Sequence, residues 1–188
     1  MIRFAITFLF TTLIFLSHCT IYNIATETST FSDGDKPKKD EGIAVFRFIS
    51  DRKTPLPNEI RFHAVGDKKN VMHFTPTAWI NKFDARRYII LKKGKYTFTY
   101  MEYKFEEKIH GFSFPQNEFK ITPNRINYIG DIHILYSRKK VKVLSEDNMK
   151  NSMWDFYKNY PKASVKYPRV KNIIKFVQPL QSVLEEIL

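Results

Sequence analysis

The feature that most constrains what this chain can fold into is a series of short apolar stretches with a period of two, spread over residues 42–144 and separated by turn-forming residues. Ile60, Phe62 and Ala64 alternate with Arg61 and His63, and Tyr96, Phe98 and Tyr100 alternate with Thr97 and Thr99. Successive strand side chains point to opposite faces, so such a pattern describes a half-buried strand. Residues 43–49 form a dense apolar run around the single Arg47, and 87–91, 119–122 and the pair Val141 and Val143 add further strands. Weaker candidates lie at 71–74 and 78–83. Within 125–136, a regular strand puts Ile126, Tyr128, Ile132 and Ile134 on one face, with Gly130 marking a bulge or a close approach. Thr54-Pro55-Leu56-Pro57-Asn58 is a loop and Lys92-Lys93-Gly94-Lys95 a turn. Seven or more strands of this kind predict a mainly β fold, an antiparallel β-sandwich of the immunoglobulin or transthyretin type. The only cysteine is Cys19. No intramolecular disulfide can form, and a thiolate-rich structural zinc site is excluded, so burial must supply the stability.

Beyond residue 144 the apolar period becomes helical. Ser145 is placed to cap a helix that opens with Glu146-Asp147, and Met149, Met153, Phe156, Tyr157 and Tyr160 form its apolar stripe as far as Pro161. Val170, Ile173, Ile174, Val177, Leu180, Leu184, Ile187 and Leu188 fall within roughly 140° at 100° per residue, which predicts a second amphipathic helix over 170–188, kinked or restarted at Pro179. That stripe must be covered by its own domain, by a partner or by a membrane surface. Its own domain is the expected cover, and a partner-docking interface is the alternative.

The N-terminus carries a different message. Met1, Ile2 and Arg3 precede an apolar run over 4–16 and then Leu16-Ser17-His18-Cys19, the layout of a secretory signal. The segment resembles a bacterial lipoprotein precursor with Leu16 to Cys19 as its lipobox, in the relaxed form known from spirochaetal lipoproteins, since His18 stands where a small residue is usual. The resemblance implies a diacylglyceryl group on the Cys19 thiol, cleavage before it, and a membrane anchor at the outer-membrane or periplasmic face of a bacterial envelope. Residues 19–41 hold little apolar surface and read as a flexible tether. Ala44-Val45-Phe46-Arg47-Phe48, then Leu91-Lys92-Lys93-Gly94-Lys95-Tyr96, then Phe119-Lys120-Ile121-Thr122-Pro123 leading into Tyr128-Ile129-Gly130-Asp131-Ile132 are similar to bacterial lipoproteins of unknown function with a transthyretin-like, or carboxypeptidase-regulatory-like, β-sandwich. Lys93 replaces a proline of that pattern and Asn124 a glycine. This likeness implies a fold and an envelope setting and no catalytic residue. The expected organisation is a signal peptide at 1–18, a lipidated cysteine and tether at 19–41, a sandwich at 42–144 and a helical extension at 145–188.

Chemistry-bearing motifs are sparse. There is no glycine-rich phosphate loop, nucleophile elbow or paired-histidine zinc motif, so no cofactor, metal or catalytic residue is expected. Asp131-x-His133 places two side chains on one strand face, and with an acidic partner such as Asp84 it could serve an envelope hydrolase. His63, His73 and His110 are scattered. The net charge is +12. Arg138, Lys139, Lys140 and Lys142, with Lys166, Arg169, Lys171 and Lys175 further on, suit anionic lipid or polysaccharide; nucleic acid is not expected for an exported chain. The sequence thus predicts a lipid-anchored, non-enzymatic binding or structural module of the cell envelope.

Overall fold

In the computed structural model the described residues are 26–27, 30–51, 55–75, 83–105, 108–114, 117–137, 140–176 and 181–183. In chain order the strands begin with β1 (Thr26–Glu27), β2 (Glu41–Ser50), β3 (Glu59–Ala64), β4 (Met72–Phe74), β5 (Asp84–Lys92) and β6 (Gly94–Phe105). They continue with β7 (Lys108–Ser113), β8 (Asn117–Ile121), β9 (Ile126–Ser137) and β10 (Lys140–Glu146). Helices α1 (Met149–Asn159) and α2 (Pro161–Lys166) follow, then β11 (Arg169–Lys171), β12 (Lys175–Phe176) and β13 (Gln181–Val183). The fold is mainly β, with two sheets. The first runs β1-β4-β3-β6-β7-β13, with β8 also paired to β6 and β12 to β8; the second runs β10-β9-β2-β5, with β11 beside β9. The candidate strand at 78–83 lies almost wholly outside the described residues.

The dense apolar run of β2 has a physical cause: both of its faces are buried. Ala44, Phe46 and Phe48 face the first sheet, where Phe46 meets Phe98 at 5.8 Å and Phe119 at 5.4 Å between ring centroids, and Phe48 meets Phe74 at 5.4 Å. Ile43 and Val45 face the other way, into a second core with Met153 and Phe156 of α1 and Ala163 of α2. The layers are therefore sheet, sheet and helices. Aromatic pairs at these spacings add about 0.5–1.5 kcal/mol each beyond the area they bury.

Two bulges change which residues share a face. Between Arg61 and Phe62 the β3–β6 register shifts past Thr99, so Tyr100 is not on the face of Tyr96 and Phe98. Met101 and Tyr103 take over the buried positions, and Tyr100 lies outside under the Arg61 guanidinium, 4.8 Å from its ring centre. In β9 the register with β2 slips at Ile129, so Ile126 and Tyr128 join the helix-side core while Ile132 and Ile134 join the core between the sheets. One extra residue in a strand moves everything after it to the opposite face. Gly130 sits there at a φ of 125°, and a Cβ would lie 3.4 Å from the Ile173 side chain.

Backbone polar groups left between neighbouring strands are satisfied by side-chain amides. On one edge of β6, β8 pairs Gly94–Tyr96 and β7 pairs from Tyr100 onward. In the gap, Asn117 accepts from the Phe98 amide and donates to its carbonyl, both at 2.8 Å. Asn127 holds the 122–125 turn in the same way: it accepts from Thr122 N at 2.8 Å and donates to the Thr122 and Arg125 carbonyls at 3.0 and 3.1 Å. Asn124 has a φ of 53° in that turn, a conformation asparagine tolerates better than most residues.

Four expectations are corrected. The sheets are mixed, because β2 and β11 run parallel to β9 and β1 runs parallel to β4. Ser145 lies in β10, its hydroxyl donating to the Ile174 carbonyl, and α1 starts after Asn148 without a side-chain cap. The expected 170–188 helix is replaced by β11, β12 and β13, while Val177, Leu180, Leu184, Ile187 and Leu188 lie outside the described residues. Asn172 N donates to Tyr128 O and Ile174 N to Ile129 O, each at 2.9 Å, so β9 captures this segment as extended chain. Ile174 is buried in the core between the sheets, which agrees with own-domain packing at that position.

The fourth correction concerns the tether, expected at 19–41. Thr26–Glu27 pairs with β4, and from residue 30 the described chain is docked rather than free. Phe31 is 2% exposed, stacks on Phe156 at 6.1 Å and donates its amide to Tyr88 O at 2.6 Å. Asp33 accepts from the Ala163 amide at 3.1 Å, in the first turn of α2. Phe31→Ala should accordingly cost about 3–5 kcal/mol in urea denaturation; a change within about 0.5 kcal/mol, as at a surface position, would return this segment to a free tether.

Candidate functional site

Arg47 is the one charge inside the apolar run of β2, and strand alternation points it away from the core between the sheets toward α1. There it ties neighbouring strands together. Its Nε and Nη2 donate to both Asp84 oxygens, at 3.0 and 2.7 Å, in a bidentate pair with β5. Its Nη1 donates to Asp131 Oδ2 of β9 at 3.0 Å. Asp131 is 0% exposed, and its other oxygen accepts from Tyr128 Oη at 2.8 Å and Ser152 Oγ of α1 at 2.5 Å. Asn148 donates its side-chain amide to Asp131 at 3.4 Å and its backbone amide to the Tyr128 oxygen at 3.1 Å. Arg86 bonds Asp155 of α1 at 2.7 Å.

The charges in this cluster stabilise one another. The hydrogen bonds it donates to Asp84 raise the Arg47 guanidinium above its ordinary value despite burial. Burial pushes the Asp84 carboxyl up, and Arg47 outweighs it by hydrogen bonding and charge, so the net displacement is downward. Tyr128 is raised by burial and by its bond to the Asp131 carboxylate. Burial also pushes Tyr88, packed edge-on to Phe156 and Tyr160, up to about 12.

The structure thus brings Asp131 and Asp84 together as the hydrolase alternative requires, and adds Ser152, which the sequence did not single out. Their arrangement is that of a clamp. A serine is activated when an imidazole lies between its hydroxyl and a carboxylate. Here Ser152, 1% exposed, bonds Asp131 directly, and His133 Nε2 faces Glu146 at 3.0 Å, without the alignment of a hydrogen bond. His63 Nδ1 donates to Ala64 O at 2.8 Å, on the wall of a 670 Å³ groove that also holds Thr97 and Lys175. His73 and His110 lie on β4 and β7. Among the described residues no group of three His, Cys, Asp or Glu side chains is placed to hold a metal ion.

The outward side of the helical layer is a different environment. A groove of about 740 Å³ runs between the start of α1, with Lys150, Trp154 and Tyr157, and β11, with Arg169 and Lys171. Arg169 lies over the Tyr157 ring at 5.6 Å and donates to its hydroxyl at 2.7 Å. Lys171 binds Asp147 at 2.5 Å, and this bond lowers the exposed Asp147 carboxyl. Trp154 is 60% exposed, with Lys158 5.4 Å from its ring centre, and Val165 on α2 is 90% exposed. Residues 149–176 contain seven lysines and arginines against the single acidic Asp155, a net +6.

The basic residues named from sequence are thereby divided. Lys166, Arg169 and Lys171 are exposed on this side of the chain; Lys175 is exposed on β12, at the His63 groove of the first sheet; Lys142 is exposed on β10; Lys140 opens β10; Arg138 and Lys139 lie outside the described residues. Trp154, the most telling residue of the face, was legible only as a polar-side position of the α1 stripe. Cys19 and the 1–18 segment also lie outside the described residues, and among those described no helix is long and apolar enough to cross a membrane.

Arg47→Met should destabilise by about 3–5 kcal/mol, since it leaves Asp131 a buried charge without its cation, and Arg47→Met with Asp131→Asn should recover part of that in denaturant titrations. Because Asp84 is depressed in the folded chain, its stabilisation is complete above its unfolded value near pH 4 and is lost as the pH falls through the folded value. Asp84→Asn should therefore flatten the acid limb of the stability profile; a limb superimposing on the parent's would deny the pair that role. No family model, curated protein sequence or solved structure matches this chain.

Proposed function

We propose that this chain is a lipid-anchored, non-enzymatic binding module of the bacterial cell envelope, built on a transthyretin-like β-sandwich. The observation that carries the reading is Cys19: the only cysteine in 188 residues stands directly after a charged start and an apolar run of signal-peptide length. Two acyl chains on that residue would provide the double hydrophobic signal that stable anchoring needs. Support for the sandwich comes from two packed sheets, from the turn at Gly94 between β5 and β6, and from Asn124 at a positive φ where the resembling lipoproteins carry glycine. Support for a binding role over a hydrolytic one comes from the polar cluster. Arg47, Asp84, Asp131 and Ser152 are hydrogen-bonded to one another between the second sheet and α1, with Tyr128 and Asn148 also bonded to Asp131, while the exposed basic and aromatic groups lie above.

Mass spectrometry of the mature N-terminus should find a diacylglyceryl-modified Cys19, and Cys19→Ser should shift the protein to the soluble fraction after a high-salt wash without lowering its melting temperature. An unmodified or uncleaved N-terminus, or a serine variant equally resistant to salt, would reject the lipid anchor. A cellular phenotype lost in His133→Ala at normal abundance and melting temperature would favour the hydrolase instead.

A further inference from the structure

We propose that the outward side of α1 and α2 is a membrane-contacting face, with Trp154 and Val165 entering the headgroup region of an anionic bilayer and Lys150, Lys158, Lys162 and Lys166 binding its phosphates. This rests on the reading of the chain as membrane-tethered and adds the lipid chemistry and the contact residues.

Helix geometry sets the face. Lys150, Trp154 and Lys158 are spaced i, i+4, i+8, so they form one stripe, and the stripe lies opposite Ser152, Met153 and Phe156, which are buried against the second sheet. On α2 the buried residue is Ala163, while Lys162, Val165 and Lys166 are exposed. A tryptophan 60% exposed and a valine 90% exposed beside four lysines is a costly arrangement in water and a common one at a bilayer surface, where indole rings and lysine stems sit at headgroup level. The only acidic residue of α1 and α2, Asp155, is turned inward and bound to Arg86, so its charge does not oppose an anionic surface.

The same layer is close to the chain's route to its anchor. Phe31 packs on Phe156 and Tyr160, and Asp33 accepts from the α2 amides. Eleven residues lie between Cys19 and Phe31, with Thr26–Glu27 among them paired to β4, and the stretch spans at most about 40 Å. An anchor at Cys19 therefore keeps the helical layer within reach of the membrane, and each lysine near an anionic surface contributes about fivefold in partitioning. A polysaccharide fits the face less well. Val165 offers a sugar no hydrogen-bonding group, and the crests of two helices are convex, whereas the concave surface next to them is walled by Arg169 and Lys171, already paired with Tyr157 and Asp147.

The test follows Trp154 itself. The chain has two tryptophans, so full-length Trp79→Phe protein leaves Trp154 as the only one. Inserted in vesicles of equal parts phosphatidylcholine and phosphatidylglycerol with brominated acyl chains, its fluorescence should be quenched. Quenching should fall several-fold in all-phosphatidylcholine vesicles, and Lys158→Glu with Lys162→Glu should reduce it on the anionic vesicles to the same low level. Trp154 that stays open to iodide and unquenched on the anionic vesicles overturns the proposal. So does equal quenching on both lipids, because the lysines then contribute nothing. Protection from iodide by an anionic polysaccharide, without quenching by lipid, would reassign the face to a glycan. Should Trp79→Phe lower the melting temperature, the difference signal between the parent and Trp154→Phe isolates the same residue. The readout does not depend on acylation, so an unmodified Cys19 would remove the anchor and leave this result standing.

Discussion

A carboxylate with no solvent exposure has to be neutralised where it lies, and in this protein the neutralisation of Asp131 determines how the helical layer meets the sheet. An uncompensated charge at that depth would cost several kcal/mol. Arg47 supplies the opposite charge from β2, Tyr128 a hydroxyl from β9 itself, Ser152 a hydroxyl from α1, and Asn148 an amide from the start of the same helix. Asp84 then balances the second half of the guanidinium from β5. Three adjacent strands and one helix are tied to a single carboxylate. Apolar contact alone is non-directional, and it would leave α1 free to slide over Ile43, Val45 and Tyr128; the polar cluster fixes one position.

That position decides which side of the helices is left for function. With Ser152, Met153 and Phe156 turned to the sheet, a helix of 3.6 residues per turn must send Trp154, Lys150 and Lys158 outward. The buried cluster and the exposed face are two consequences of one orientation. Phe31 and Asp33 reinforce it from the N-terminal segment, so residues expected to belong to a flexible tether instead pack on the layer proposed to contact a membrane.

Much of the fold was legible because strand burial leaves a period of two. The elements β2, β3, β5, β6, β8, β9 and β10 all lie where alternation or a dense apolar run placed them, and the stripe of Met149, Met153, Phe156 and Tyr157 gave α1. Pro161, expected to end that helix, does so and also opens α2, where its missing N–H costs nothing at the first turn. Face assignments were less legible. A bulge inserts one residue without any required change of composition, and so Tyr100 and the first half of β9 fell on the opposite face from the regular pattern. Of the candidate site, Asp131, Asp84 and His133 were visible as residues, but Ser152 was not. A serine among apolar helix positions shows its role only when its partner is known.

The sequence by itself determined the local facts: where strands alternate, where proline and glycine break them, that no disulfide can form, and that positive charge outweighs negative in the last third of the chain. Only the tertiary structure decided the rest. Residues 170–176 have helical spacing, yet the upper half of β9 offers unpaired backbone groups at Tyr128 and Ile129, and hydrogen bonding to them as extended chain satisfies both partners. Residues 30–41 carry too little apolar surface to order alone, yet a cleft beside Phe156 and Tyr160 accepts the one phenylalanine they contain. In both segments the local preference is worth less than the contacts supplied by residues far away in the chain, and those contacts exist only once the second sheet has formed.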